Sequence, residues 1–367
     1  MDKKDFLSRL KDGVLSRRQA LEILRAAGVG VVTMPLMAPR ARAEDQVTYF
    51  TWSGYDVPEF FPKYVEKHGA NPNMPIFADE EEAFQKLRAG FFTDVAHPCS
   101  GRINRWRSVG LLQPIDTSRL SHWPNVFEFL KTANGANADG QQWFVPVDWG
   151  NTSVVYRTDL VEVKEDSWTI LWDPKYKGKL SMGVDITDTA VIVALLTGAK
   201  DPYDPTDAEI EAIRAKMMEQ KPLLRFYWSD ETTMEQALTS GEIVASSAWN
   251  GAVARLKAAG VPVAYMKPKE GILCWACGLT LITGAKEVDK AYDLMDAMLD
   301  PVAGQWLVTA NGYGHSNKKT FDLVDDATLT SLGLPKDPTE MLSSGVFSRE
   351  NKKIDVLQKM FEEVQAS

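Results

Sequence analysis

Residues 47–96 read VTYFTWSGYDVPEFFPKYVEKHGANPNMPIFADEEEAFQKLRAGFFTDVA, and they alternate between strand-like and helix-like segments. We predict a strand over residues 47–52 and a helix over residues 57–67. A second helix is predicted over residues 80–88, followed by a short strand over residues 92–96. This alternation predicts an α/β fold in which helices cover both faces of a mostly parallel sheet.

The rest of the chain repeats the same theme. Further strands are predicted at residues 154–156, 180–183, 243–246, 263–266 and 271–282. Further helices are predicted at residues 208–218, 233–239 and 252–259. The sequence contains no internal repeat and no low-complexity linker. Any domain boundary is therefore made by strands that cross between domains.

The first 43 residues have the features of an export signal. Arg17 and Arg18 form a twin-arginine pair, an apolar run follows over residues 26–37, and Ala41-Arg42-Ala43 is a small-x-small cleavage site. We predict a cleaved twin-arginine signal over residues 1–43 and a periplasmic mature protein. No later apolar run approaches the roughly twenty residues that a membrane span needs.

The mature chain is acidic. Residues 1–43 contain nine of the 41 Lys and Arg and four of the 50 Asp and Glu, which leaves 32 basic and 46 acidic residues and a net charge of −14. Such a charge disfavours nucleic acid and anionic lipid surfaces, and it favours cationic or zwitterionic small molecules.

The three cysteines, Cys99, Cys274 and Cys277, specify no complete disulfide framework because their number is odd. Cys274 and Cys277 form a C-x-x-C pattern, but it lies within a segment predicted to be extended. Residues three apart in a strand point to opposite faces, so these two sulfurs are not expected to meet.

The sequence contains no fingerprint of a catalytic site, and we predict no enzyme activity and no cofactor. H-E-x-x-H, G-x-S-x-G and phosphate-loop motifs are absent. The four histidines lack the spacing of metal ligands, so no metal site is predicted. They are His68, His97, His122 and His315.

Tryptophan is the most informative residue type, with eleven in the chain. Several tryptophans stand beside turn-forming or polar residues at predicted strand ends, where open α/β sheets bind ligands. These are Trp52, Trp149, Trp228, Trp249 and Trp275. Because aromatic faces attract cations, this set predicts a cage for an amine.

Four blocks of sequence resemble the periplasmic spermidine/putrescine-binding proteins of ABC importers. They are YFTWSGY (49–55), SWTILWDPKYKGK (167–179), AWNG (248–251) and PKEG (268–271). Their order and spacing extend the resemblance over nearly all of the mature chain. The resemblance implies a type II periplasmic binding protein with two α/β lobes, joined by two crossovers, that closes on a ligand and delivers it to an inner-membrane ABC permease.

The resemblance also implies lobe boundaries and a ligand site. Lobe one is expected to comprise residues 44–150 and 275–320, and lobe two residues 151–270 and 321–367. In this family aromatic side chains enclose the methylene chain of a polyamine and acidic side chains bind its ammonium groups. The predicted ligand-binding residues are Trp52, Ser53, Tyr55, Cys99, Asp148, Trp149, Asp185, Thr189, Trp228, Trp249, Trp275 and Cys277.

The acidic positions of the family are not matched here. Cys277 stands where polyamine binders carry an Asp, Thr189 where they carry a Glu, and Gly101 where they carry an aromatic residue. A buried ammonium group without a carboxylate bears a large desolvation cost, so other acids must replace the missing ones. The candidates are Asp148, Asp185, Asp188 and Asp230.

Two arginines keep an alternative ligand open. If Arg102 or Arg225 faces the cleft, its guanidinium group would bind a carboxylate, and the ligand would be a zwitterion such as γ-aminobutyrate. An exported enzyme and a ligand-sensing module are alternatives from other functional classes. We expect a monomer that binds no nucleic acid.

Overall fold

The computed structural model describes residues 46–367, which belong to one compact unit. The predicted signal over residues 1–43 lies outside the described residues. Within residues 46–367, no helix is both long enough and apolar enough to cross a lipid bilayer.

Fourteen strands occur in the described part of the chain, and twelve of them share one sheet. They are β1 (Tyr49–Trp52), β2 (Ile76–Phe77), β3 (Val95–Ala96), β4 (Leu112–Gln113), β5 (Asn137–Ala138), β6 (Gln141–Gln142), β7 (Val145–Arg157), β8 (Leu180–Gly183), β9 (Leu224–Trp228), β10 (Ala245–Trp249), β11 (Val263–Tyr265), β12 (Leu273–Ile282), β13 (Gly314–His315) and β14 (Val346–Phe347).

Thirteen α-helices are found in the same range, with short 3₁₀ turns between many of them. They are α1 (Pro62–His68), α2 (Glu80–Arg88), α3 (Ile103–Ser108), α4 (Glu128–Thr132), α5 (Ile186–Thr197), α6 (Asp207–Gln220), α7 (Glu231–Ser240), α8 (Asn250–Ala258), α9 (Val288–Met298), α10 (Pro301–Trp306), α11 (Asp326–Leu332), α12 (Thr339–Ser344) and α13 (Ile354–Ala366).

The large sheet has the order β2-β1-β3-β12-β7-β10-β8-β9. Its outer strands pair in parallel on both sides, as in β2-β1-β3 and β10-β8-β9. The two long central strands, β7 and β12, run antiparallel to each other and to β10 and β3 respectively. The expectation of a mostly parallel sheet is therefore wrong at the centre, because the two long strands traverse the sheet in opposite directions.

Separate apolar clusters lie at the two ends of the sheet. Near β1, a cluster that includes Phe60, Phe61 and Tyr64 packs against α9 and α10. Near β8, another cluster that includes Trp168 and Phe361 packs among α5, α6 and α13. Burial of this apolar area is the main stabilising contribution at each end.

Most of the predicted elements are confirmed with shifts of a few residues. Helix α2 and strand β8 coincide with the predicted residues 80–88 and 180–183. The helix predicted over residues 57–67 is instead a 3₁₀ turn followed by α1. Pro62 causes the break, since proline disfavours a helical conformation at the preceding residue, and Phe61 has φ −147° and ψ 50°.

Candidate ligand-binding site

A cavity of about 320 Å³ lies where several parallel strands end. Trp52 is the last residue of β1 and Trp249 is the last residue of β10. Asp185 follows β8, and Ser229 follows β9. All four residues line the cavity. Helices α5 and α7 begin immediately after the last two strands. The carboxyl ends of parallel strands are the usual ligand-binding edge of α/β sheets.

The structure brings nine of the twelve predicted ligand-binding residues to the wall of this cavity. They are Trp52, Ser53, Tyr55, Cys99, Asp148, Asp185, Trp249, Trp275 and Cys277. The acids Asp188 and Asp230, considered as substitutes for the missing carboxylates, lie in the same wall.

The other three lie behind the wall. Trp149 is fully buried, stacks on Phe321 and donates its indole N–H to the carbonyl of His315. Thr189 is buried in α5 and donates its hydroxyl to the carbonyl of Gly183. Trp228 supports the cavity from outside, because its ring meets that of Trp249 edge-on at 5.4 Å.

The two arginines considered as carboxylate partners do not line the cavity. Arg102 is buried and forms an ion pair with Glu80 at 2.9 Å, and it also donates to the hydroxyl of Thr187. Arg225 is exposed at the surface, where it pairs with Glu242 at 2.8 Å. Neither guanidinium group faces the cavity.

Aromatic rings form two walls of the cavity. The rings of Trp52 and Trp249 approach to 6.4 Å between centroids, and Phe77 packs edge-on to Trp52 at 4.5 Å. On the other wall, Trp275 and Tyr313 meet edge-on at 5.1 Å. These surfaces suit an aliphatic chain, and their faces attract cations.

A disulfide bond joins Cys99 and Cys277 in the cavity wall, across 178 residues of sequence. Cys274 is a free, buried thiol, and burial raises its pKa to about 12. The expectation that Cys274 and Cys277 would not meet is confirmed. The long-range pairing of Cys277 with Cys99 was not predicted.

Asp148 lies next to this disulfide, because β7 and β12 place Asp148 and Cys277 directly opposite each other. Opposite residues of an antiparallel pair share a face of the sheet. The carboxylate of Asp148 accepts hydrogen bonds from the Tyr55 hydroxyl at 2.5 Å and from His97 Nε2 at 3.1 Å. Burial, followed by the negative charge of Asp148, raises the pKa of Tyr55, so Tyr55 remains a donor.

A second acidic group lies at the start of α5. Asp185 accepts the backbone N–H of Thr187 as the helix cap, and Asp188 accepts the hydroxyl of Thr152 at 2.7 Å. Neither carboxylate forms an ion pair within the described residues. Burial, and then the negative charge of Asp185, raise the pKa of Asp188 to about 7.

A third acidic group lies at the start of α7, where Glu231 and Glu235 share Arg255 of α8. Arg255 also donates to the carbonyl of Asn311, and the Tyr313 hydroxyl donates to Glu231 at 3.3 Å. Burial raises the pKa of Glu231 to about 7 even though Arg255 opposes the shift.

The cavity carries a large excess of negative charge. Seven carboxylate side chains line it, and Arg255 is the only Lys or Arg among its described lining residues. With every carboxylate ionised, and with Arg102, which neutralises Glu80 from behind, included, the formal charge is −5. The seven carboxylates belong to Glu80, Asp148, Asp185, Asp188, Asp230, Glu231 and Glu235.

Five residues of the cavity wall were not predicted from the sequence: Glu80, Glu231, Glu235, Arg255 and Tyr313. The one available signal was position, since Glu231 directly follows Asp230 at a predicted strand end. No group of three or more His, Cys, Asp or Glu in residues 46–367 has a geometry that could hold a metal ion.

Asp188→Asn is expected to raise the melting temperature of the ligand-free protein at pH 8 by at least about 2 °C. The folded-state pKa of about 7 lies above the ordinary value of 3.8, so folding favours the protonated acid. The contribution of the Asp188 carboxyl to the free energy of unfolding therefore falls as the pH rises from about 4 to 7. Asn carries no charge and can still accept the Thr152 hydrogen bond.

Differential scanning calorimetry at pH 4.5 and pH 8 measures this effect, and the difference between variant and wild type should be much smaller at pH 4.5. Asp139→Asn is the matched control, because Asp139 is exposed and the variant makes the same change in net charge. An Asp188→Asn variant that is less stable than wild type at pH 8 would show that the folded protein compensates the negative charge of the Asp188 carboxylate.

Comparisons with known proteins identify the family and the fold of this chain. Residues 69–331 match the family model of the bacterial extracellular solute-binding proteins. The chain is 24% identical over 327 residues to the spermidine/putrescine-binding periplasmic protein of Salmonella typhimurium, covering 88% of this chain and 91% of that protein.

Solved structures share the fold. One from Listeria monocytogenes has a TM-score of 0.79 at 20% identity, covering 88% of this chain and 99% of that one. A structure described as the Atu4243-GABA receptor has a TM-score of 0.68 at 20% identity, covering 88% and 97%. The predicted α/β, type II periplasmic binding fold is confirmed. The chain belongs to the family of bacterial extracellular solute-binding proteins.

Proposed function

We propose that this protein is the periplasmic substrate-binding component of an ABC importer and that it binds a polyamine or a related small amine in the cavity. The observation that carries the proposal is the formal charge of −5 inside an aromatic-walled cavity. A ligand with several ammonium groups compensates this charge, whereas a zwitterion has no net charge to offer.

Asp148, Asp185, Asp188 and Asp230 line the cavity without an ion pair to Lys or Arg in residues 46–367, and the first three form the two proposed ammonium sites. One is Asp148, whose two oxygens each keep a free lone pair after accepting from Tyr55 and His97. The other is the pair Asp185 and Asp188. The methylene chain between the ammonium groups would lie against Trp52 and Trp249, which favour both apolar and cationic contacts.

The relatives support the same ligand class. The Salmonella typhimurium protein is named for spermidine and putrescine, and its alignment spans nearly the whole of both chains. A Pseudomonas aeruginosa relative that is 25% identical is a putrescine/agmatine-binding protein. Both names describe organic cations of the kind that the carboxylates would bind.

A zwitterion such as γ-aminobutyrate is the alternative ligand, and a structural neighbour is described as a GABA receptor. Its carboxylate would need a free guanidinium group. Arg102 is committed to Glu80, Arg225 to Glu242, and Arg255 to Glu231 and Glu235. The arrangement of charges therefore favours the amine.

We further propose that binding closes two lobes on the ligand, with lobe one formed by residues 44–150 and 275–320 and lobe two by residues 151–270 and 321–367. Contacts between these segments flank the cavity, including Trp52 with Trp249 and the Tyr313 hydroxyl with Glu231. A ligand that touches both segments stabilises the closed form, because only that form makes both sets of contacts.

We also propose that the protein is exported through the predicted twin-arginine signal and acts as a monomer. It would deliver its ligand to an inner-membrane permease. Membership of a solute-binding family favours transport over the exported-enzyme alternative. A sensory role would use the same cavity. Co-expression with permease genes distinguishes transport from sensing.

A thermal-shift panel tests the ligand class. Putrescine and spermidine at about 100 times their dissociation constants are expected to stabilise the folded protein by ~2.7 kcal/mol. The panel includes γ-aminobutyrate, other amino acids and betaines, which are expected to leave the melting temperature unchanged. A shift with the zwitterions alone would contradict the polyamine proposal, and turnover of an amine would indicate an enzyme.

A further inference from the structure

His97 lies directly after β3 and is fully buried behind the cavity. It contacts three groups of the cavity wall. Its Nε2 lies 3.1 Å from the carboxylate of Asp148, its carbonyl accepts the indole N–H of Trp52 at 2.8 Å, and its ring meets that of Tyr55 edge-on at 4.8 Å. A single buried residue thus connects an acid and two aromatic side chains of the proposed site.

A chain of hydroxyl groups determines which nitrogen of His97 carries the proton. Thr51 donates its hydroxyl to Tyr49 at 2.8 Å, and the Tyr49 hydroxyl lies 2.6 Å from His97 Nδ1. Burial raises the pKa of Tyr49, so this phenol keeps its proton. Because its oxygen already accepts from Thr51, its hydrogen is directed to Nδ1, and this assigns Nδ1 as the acceptor. The Thr51 hydroxyl also lies 3.3 Å from Nδ1.

The remaining nitrogen, Nε2, then carries the single imidazole proton and donates it to Asp148. Every hydrogen bond in the chain from Thr51 through Tyr49 and His97 is directed towards that carboxylate. No Lys or Arg in residues 46–367 forms an ion pair with Asp148, and His97 adds no positive charge beside it when Nε2 carries the only imidazole proton. The negative charge of Asp148 therefore stays available to the cavity.

We propose that His97 is a positioning residue of the ligand site, which holds Asp148 as a neutral imidazole and so orients the carboxylate without cancelling its charge. The proposal rests on the proposed function in that an ammonium group of the ligand is the cation that Asp148 receives. A protonated His97 would pair with Asp148 and compete with the ligand. The same residue fixes Trp52 through its carbonyl group.

Nitrogen-15 NMR of the imidazole rings tests the protonation state in the wild-type protein, and it requires neither a ligand nor a variant. Only four histidines are present, and backbone assignments identify the ring of His97. At pH 7.5 we expect a neutral ring with its proton on Nε2, both before and after addition of putrescine. A doubly protonated ring, or a proton on Nδ1, would overturn the proposal.

Two variants test the positioning role. His97→Leu keeps apolar volume but removes the donor, and we expect it to weaken putrescine binding by about tenfold. His97→Gln places an amide N–H near the position of Nε2, and we expect it to recover most of the affinity. Equal loss in both variants, or wild-type affinity in His97→Leu, would overturn the proposal.

His122→Gln is the control, because His122 lies near the surface beside Asp300. This variant is expected to bind putrescine as wild type does.

The proposed function and the proposed role of His97 fail in distinguishable ways. If no amine binds to the wild-type protein, the proposed function fails while the NMR result still decides the state of His97. If amines bind and the NMR result or the variants disagree, only the role of His97 fails.

Discussion

Asp148→Asn is expected to weaken the binding of putrescine and spermidine by about 100-fold, or ~3 kcal/mol. Asp148 is fully buried and accepts two hydrogen bonds, yet its charge has no Lys or Arg partner in the described part of the chain. Removing the charge leaves a ligand ammonium group desolvated without a counter-charge. Asn has the same shape, but its NH₂ group faces one of the two donors, so circular dichroism must show that the variant is folded.

Isothermal titration calorimetry measures this loss. Asp289→Asn is the matched control, because Asp289 is 94% exposed and its substitution changes the net charge of the protein by the same amount. The control is expected to bind within about twofold of wild type, since exposed charges contribute little. If both variants lose affinity equally, the effect is long-range electrostatics and Asp148 is not an ammonium site.

Trp249→Ala is expected to weaken amine binding by about 100-fold while the fold is retained. Trp249 ends β10, and its ring is held between Trp52 at 6.4 Å and Trp228 at 5.4 Å. Truncation removes the aromatic face that would cover the ligand and opens that end of the cavity to water. Truncation of a partly buried tryptophan in a binding site is typical of the largest losses in binding.

Trp123→Ala is the control for this variant, because Trp123 lies at a separate surface cavity where Lys131 stands over its ring. Circular dichroism confirms that each variant is folded, and calorimetry gives the dissociation constant. Unchanged binding in Trp249→Ala would remove this residue from the site. A matching loss in Trp123→Ala would indicate general destabilisation.

The aromatic part of the site was predictable from sequence, and the reason is local. Trp52 and Trp249 each end a strand and are followed by turn-forming or polar residues, so their position at the ligand-binding edge follows from the strand assignment. The same reasoning gave the wrong position for Trp149, which lies behind the cavity wall. Its neighbour Asp148 faces the cavity, and adjacent residues of the long strand β7 point to opposite faces.

The charged part was only partly predictable, because ion pairs form between distant segments. Glu231 and Glu235 lie four residues apart on one face of α7, but their shared partner Arg255 comes from α8. Likewise, Arg102 was a candidate for binding a carboxylate until the fold placed Glu80 beside it. Local pattern does not encode such pairings.

The disulfide illustrates the same limit. Three cysteines allow three different single pairings, and the spacing of Cys274 and Cys277 excludes only one of them. The pairing of Cys99 with Cys277 depends on β12 lying beside the segment after β3. This contact also explains how a cysteine and an acid come to share one face of the cavity, since Asp148 lies opposite Cys277.

A crystal structure of the protein with bound spermidine is the decisive experiment for the polyamine site. We expect a ligand nitrogen within about 3.2 Å of an Asp148 carboxylate oxygen. We also expect the methylene chain against Trp249 and a second nitrogen at Asp185 and Asp188. A ligand that leaves Asp148 without a contact, or a bound carboxylate held by Arg255, would contradict polyamine binding at this site.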